Sequence, residues 1–556
     1  MRRPSDLIQS LRRQAGPIEN HIVDEFLVGH LDRRALLRHG ACAGIAAPLL
    51  AALLGTAVPL HTARAQNGKQ GGKPGTTLRV ACPMPTTAID PVVVADPGGL
   101  NMLIQSGEFL ARDGTDLVLR PMLATAWRPN ADGSVWTFDL RPGVTFHNGK
   151  ALTAADVVAT MDRLADPANG SNALSAFRGV LSKGGTKQTG DHTVEFHLDA
   201  PNGNFPYYVS SDNYNAIILP ADYAGDFEKT FVGTGPFKLD RYTPRVGASF
   251  VPNPGYWGGD VLPARTEFTF FSDLQPQILA LQAGQVDVIM VLAVQGGQGL
   301  LNDPDVTLLK LPSSAQRQIH MKTDGQHFSD KRVRQAVALT LDRPGLVRGL
   351  FRGLAQPGND SPIAAVYPSA AKDVPQRTRD IDQAKRLMAE AGHAAGFEAT
   401  LTTHRLLEVP DLAVLVQNAC AQIGIKLNLR IEDTRAYYGS GRPGTSDWLD
   451  SEMGITDFGH RGIPNILLAA PLLSDGAWNA AHFKNPAYDA LVADYVKATD
   501  LGIQRALSGK IDALLLDETP VVIPYFYNTL AALAKGVTGV ETTAIPQMFL
   551  QQASAA

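Results

Sequence analysis

Asp132–Val157 reads DGSVWTFDLRPGVTFHNGKALTAADV. Apolar side chains at Trp136, Phe138 and Leu140 alternate with Thr137 and Asp139, the period of a half-buried strand. Arg141-Pro142-Gly143 turns the chain, and Val144–Phe146 resumes it. Thr153-Ala154-Ala155-Asp156 has the form of a capping box. Val157, Val158, Met161 and Leu164 follow near helical spacing, which predicts a helix from about 154 to 165. Strand, turn, strand and capped helix within so short a stretch indicate an α/β protein rather than a bundle.

The same alternation continues outward. Thr77–Ala81 predicts a first strand that ends at Pro83. Phe237–Leu239 and Ala248–Val251 predict a hairpin, and Val286–Leu292 an apolar strand after a helix at Pro276–Ala283. Helices are expected after the caps Ser329 and Asp342, at Asp382–Ala391, Leu412–Ile423, Tyr488–Thr499 and Arg505–Glu518. Strands are expected at Lys426–Ile431 and Val521–Tyr527.

The first 65 residues have a different character. Arg33-Arg34 precedes an uncharged stretch from Gly40 to Leu60, and Ala63-Arg64-Ala65 is a small-x-small cleavage pattern. This order predicts an export signal of the twin-arginine type, cleaved after Ala65, and a periplasmic product. Gln66–Gly75 is a Gly/Lys linker. The leader holds 8 Lys/Arg and 5 Asp/Glu, so the near-neutral −4 of the 556-residue chain hides a mature net charge of −7. An acidic product has no electrostatic footprint for nucleic acid. Of the three cysteines, Cys82 and Cys420 remain in the mature chain, and both are expected as unpaired buried thiols.

Four blocks in order resemble the bacterial extracellular solute-binding proteins of the oligopeptide/dipeptide type, family 5. They are Asp132–Val157, Val232–Trp257 (VGTGPFKLDRYTPRVGASFVPNPGYW), Leu281–Ile289 (LQAGQVDVI) and Asp330–Val347 (DKRVRQAVALTLDRPGLV). Asn148 stands where the family usually has Asp. The blocks are framework: they speak for the fold and not for the ligand.

The resemblance implies an α/β class II (type C) periplasmic-binding-protein fold, with two lobes joined by hinge strands and an extra subdomain inserted in lobe one. Lobe one is expected at 76–108, 230–318 and 524–552, the insertion at 109–229 and lobe two at 319–523. The hinges would lie near Gln316–Thr323 and Ile523–Asn528. It also implies a monomeric receptor that closes on a small peptide or similar amine-bearing solute and hands it to an ABC permease in the inner membrane. No cofactor or metal is implied.

Peptide-type members pair the ligand's amine with an acid placed after a strand. Met453–Leu468 (MGITDFGHRGIPNILL) fills that segment here, and Asp457 is the expected anchor. Phe458, His460 and Arg461 replace the family's usual residues beside it. Arg461 then either neutralises Asp457 or caps a helix, or Arg461 or His460 meets a ligand oxygen. Arg405, the pair Tyr437-Tyr438, Trp478 and Asn479 are further candidates from lobe two, and Thr86, just after the first strand, from lobe one. The chain carries no H-E-x-x-H, G-x-S-x-G or P-loop, so no enzymatic activity is expected. The competing readings are an exported hydrolase and a sensory receptor not coupled to transport.

Overall fold

The computed structural model describes residues 75–555. The stretch read as an export leader and most of the linker lie outside the described residues. Two large mixed sheets dominate. The first has the order Val306–Leu311, Thr529–Ala534, Val288–Ile289, Thr77–Pro83, Arg265–Phe271, Gly247–Pro252, Phe237–Thr243. The second has the order Ala355–Pro357, Tyr525–Tyr527, Gln316–Met321, Met453–Phe458, Phe397–His404, Ile425–Glu432, with Val521–Val522 also on Gln316–Met321. A four-stranded antiparallel sheet, spanning Ala124 to His197, forms the inserted subdomain with the helix Ala154–Ala165.

The opening stretch folds as its pattern dictates. Trp136, Phe138 and Leu140 are buried on one face of Val135–Leu140. The helix starts at Ala154 with the full capping box, and the second oxygen of Asp156 accepts the Ala221 N–H at 2.8 Å. Val157, Met161 and Leu164 go into the core, each burial stabilising by about 1.5–3 kcal/mol.

The other blocks tie distant segments together. Glu108, fully buried, accepts hydrogen bonds from Thr234 Oγ1 (2.8 Å), Trp257 Nε1 (2.8 Å) and Tyr256 OH (2.9 Å). Burial pushes its pKa up to about 7 against those three donors. The His147 ring sits between the carbonyls of Phe231 and Gly235 and joins the first block to the second. Asp287 pairs with Arg79 of the first strand at 2.5 Å. Arg334 donates to the carbonyls of Phe328, Glu518 and Thr519 and so satisfies the end of helix Leu501–Glu518.

Two segments cross between the large sheets. Pro312–Ala315 joins Val306–Leu311 to Gln316–Met321, and Asn528 alone separates Tyr525–Tyr527 from Thr529–Ala534. The crossings therefore lie a few residues from the expected boundaries at 318/319 and 523/524. The reason is pairing: Gln316–Met321 runs antiparallel to Met453–Phe458 over its whole length, and Gln316 pairs with Phe526. The expected strand Val521–Tyr527 is interrupted at Ile523-Pro524, since Pro cannot donate to a ladder. Val286–Leu292 contributes only Val288–Ile289 as strand. Among the described residues, Cys82 and Cys420 are both buried and free.

Candidate functional site

The strands Thr77–Pro83, Arg265–Phe271 and Val288–Ile289 are parallel, as are Phe397–His404, Ile425–Glu432 and Met453–Phe458. In open α/β sheets a ligand crevice lies beyond the carboxyl ends of such strands. A cavity of about 250 Å³ lies between the sheets beside the crossings. Val291–Gln295, which follows Val288–Ile289, lines it from the first sheet. Arg317, Glu408, His460 and Tyr527 line it from the second.

Its floor is an ion pair. Arg317 and Glu408 are each 1% exposed, with Arg317 Nε 3.0 Å from Glu408 Oε1. Tyr525 OH donates to Glu408 Oε1 at 3.1 Å, and Arg317 Nη1 donates to Tyr527 OH at 3.1 Å. The guanidinium also lies 4.7 Å from the Tyr527 ring centroid. Burial alone would lower the Arg317 pKa, but Tyr527 and Glu408 outweigh it and raise it. Removing one partner of such a pair costs about 3–5 kcal/mol, because the other charge stays buried.

His460 closes one side. The Ser314 N–H donates to its Nδ1 at 3.0 Å. That leaves the ring proton on Nε2, which is buried and has no hydrogen-bond partner. Burial, with Arg461 adjacent, pushes its pKa down to about 3, so the imidazole is neutral. Ser314 Oγ donates to the Arg461 carbonyl and accepts its N–H, both at 3.0 Å, which fastens the Gly459–Gly462 turn to the first crossing.

Asp457 stands across the ladder from Arg317, on the same face of the second sheet. Its carboxylate is 29% exposed. Tyr438 OH donates to Oδ1 at 2.5 Å, and His404 Nε2 lies 3.1 Å from the same oxygen. Burial pushes its pKa up, but His404, Tyr438 and the Arg317 charge outweigh that and hold it below the usual carboxylate range. Arg461 does not pair with it. The Arg461 guanidinium bonds the His460 carbonyl at 3.1 Å, and its charge acts on Asp212 of the insertion, whose Oδ1 accepts the Gly462 N–H at 2.6 Å.

The remaining candidates separate. Arg405 is exposed directly beyond His404, and its guanidinium makes no bond among the described residues. Thr86 is exposed past the first strand, with its N–H on Asp96 at 3.1 Å. Phe458 is buried and packs on Trp478, whose own side chain borders a wider groove between the insertion and lobe two. Tyr437 is not a cleft residue. It is fully buried, stacks on His404 at 5.0 Å, and spends its hydroxyl on Ile455 O and Thr456 Oγ1. Asn479 is not free for a ligand either. Its amide bonds Leu473 O and Phe483 O and accepts the Phe483 N–H, closing its own loop.

Sequence reading missed Arg317, Glu408 and Tyr527, and named Tyr438 only together with Tyr437. Arg317 lies inside a hinge read only as a crossing, and the acid Glu408 comes three residues after the chosen Arg405. No local motif marks either; their partnership is created by the fold.

Two sheets, an inserted subdomain and a cavity at a double crossing define a two-lobed α/β solute-binding architecture. The sequence profile of the bacterial extracellular solute-binding proteins, family 5 (middle part) matches residues 118–461, and the chain belongs to that family. It is 25% identical over 481 residues to the glutathione-binding protein GsiB of Escherichia coli K12, covering 82% of this chain and 89% of that one. HbpA2 from Haemophilus parasuis superposes with a TM-score of 0.77 at 22% identity, over 86% of this chain and all of that one. DppA from Helicobacter pylori, solved with the peptide STSA, gives 0.67 at 21%, over 87% and 98%.

Proposed function

We propose that the chain is the periplasmic receptor of an ABC importer for a short peptide or a similar amine-bearing solute, held by closure of the lobes. The observation that carries this reading is the cavity between the carboxyl ends of the two sheets, where a neutral His460 N–H donor borders the Arg317–Glu408 floor and a partly exposed, ionised Asp457 stands across the ladder from Arg317. An ammonium suits the Asp457 carboxylate, and a carbonyl or carboxylate oxygen suits His460 Nε2. Arg405 supplies a cation at the same sheet end for a terminal carboxylate. The glutathione-binding relative and the peptide-bound DppA support a peptide-like ligand. Binding favours the closed form because only there does the solute touch both lobes. The closed form is then what the permease receives.

Native mass spectrometry of the purified protein, followed by thermal shift against di- to pentapeptides, glutathione and opines, tests the reading. A zwitterionic peptide-like solute that raises the melting point and is recovered unchanged supports it. Release of a cleaved product, or binding indifferent to Asp457→Ala, overturns it. Export by the twin-arginine route belongs to the same proposal: the mature protein starts at Gln66, and changing Arg33 and Arg34 to Lys retains the precursor in the cell.

A further inference from the structure

A second cavity, of about 380 Å³, lies on the other face of the hinge strand. Alternation along Tyr525–Tyr527 separates the two spaces: Tyr525 and Tyr527 serve the Arg317–Glu408 floor, and Phe526 lines the second cavity. Pro312 and Ser313 of the first crossing border it too. Gln356, also in its wall, bonds Asn528 of the other crossing at 2.8 Å.

Asp512 of helix Leu501–Glu518 lines this cavity and is 7% exposed, yet among the described residues its Oδ1 has no hydrogen-bond partner. No cation among the described residues pairs with it; Asp360, by contrast, takes both Arg343 and Arg377. A second orphan lies on the same strand face. Gln316, the register partner of Phe526, is fully buried with neither amide atom bonded. A buried carboxylate with an unmet oxygen costs free energy unless a partner arrives or it takes a proton, and burial pushes the Asp512 pKa up to about 7. The rest of the wall is mainly apolar, including Ile363, Val366 and Val374.

We propose that this cavity is a second small-ligand site, which takes a primary ammonium with a short apolar body. The ammonium pairs with Asp512, and the body lies against Ile363, Val374 and Phe526. The site is separate from the solute cavity and touches both crossings from behind.

Isoamylammonium is the probe, with isoamyl alcohol as the uncharged control, titrated calorimetrically into the full mature protein. Saturable binding of the ammonium, about tenfold weaker in Asp512→Asn and unchanged in Asp457→Ala, is expected, since a charge-assisted contact is lost. Ala365→Trp, a substitution at an exposed wall position, abolishes it while leaving Asp512 in place. No saturable binding, equal binding of the alcohol, or binding indifferent to both variants overturns the proposal and leaves a water-filled cavity.

Discussion

Asp360 and Asp457 are both acids of lobe two, and the chain treats them in opposite ways. Asp360 is fully buried. Its oxygens take Arg343 at 2.7 and 2.8 Å, Arg377 at 2.7 Å and the Ile523 N–H at 3.1 Å. It sits at φ 57°, a left-handed conformation that Asp and Asn tolerate better than other side chains. Every bonding direction is used by the protein itself, so this acid is a staple between its own loop, the helix Arg343–Phe351, the loop at Arg377 and the segment that leads into Tyr525–Tyr527. Among the described residues Asp457 has two partners, His404 and Tyr438, on one oxygen, and 29% of its side chain is exposed. An acid whose partners are all internal stabilises the fold; one that is ionised, oriented and incompletely covered is ready for a ligand.

The sharpest way to break this contrast is to remove each charge without changing shape. Asp360→Asn retains the tolerance for positive φ and leaves two buried arginines short of a counter-charge. The expected loss is about 3–5 kcal/mol in denaturant unfolding, with the solute affinity of the folded protein unchanged. Asp457→Asn still accepts from Tyr438 but loses the charge. Affinity for an amine-bearing solute should fall about tenfold, roughly 1.4 kcal/mol, with stability within about 1 kcal/mol of the parent. If Asp457→Asn costs stability and spares affinity, Asp457 is a staple as well.

The adjacent tyrosines sharpen the same line. Tyr438→Phe removes a donor from Asp457 and should weaken solute binding by about threefold, the low end for a lost hydrogen bond. Tyr437→Phe removes the hydroxyl from Ile455 O and should cost about 1 kcal/mol of stability with affinity intact. Calorimetry and denaturant melts on the pair separate the two roles.

Much of the framework was legible because each element announces itself locally. The capping box at Thr153, the alternation in Val135–Leu140 and the blocks around Gly233–Trp257 and Asp330–Val347 all lie where their pattern put them. Those blocks carry buried tethers such as Thr234 and Trp257 on Glu108, and Arg343 on Asp360. The cavity was less legible. Asp457 and His460 share one strand-and-turn segment and were read together. Arg317 and Glu408 meet across 91 positions, and no period or spacing records that meeting. Tyr437 and Tyr438 were indistinguishable as a sequence pair. One helical step decides which hydroxyl enters the core and which reaches the carboxylate.

The smallest expected effect is on affinity between pH 7 and 5, and it tests whether the cleft groups are poised as described. Asp457 is held below the ordinary carboxylate range, so it stays ionised throughout. His460 is held at about 3, so it stays neutral. A dipeptide probe keeps its amine charged and its carboxylate ionised over the same interval. Affinity should therefore be flat across the interval when measured by calorimetry at fixed ionic strength. Stability should not be. His460 and His320, the latter pushed down to about 4 by burial, refuse protons that the unfolded chain accepts near 6.5. These two histidines lower the unfolding free energy as pH drops below about 6.5, whereas Glu108, Asp212 and Asp512, each pushed by burial up to about 7, take protons first in the native state and raise it between pH 7 and 5. The histidine loss continues until the folded-state values are reached. The contribution of Asp457 runs through a lower window, since its stabilisation fades only as pH falls past the unfolded carboxylate value and through its own depressed one. A flat affinity above a pH-dependent stability is what Asp457 and His460 in their native charge states require. An affinity that changes over the interval places a titrating group in the cleft and removes the distinction between the anchor and the staple.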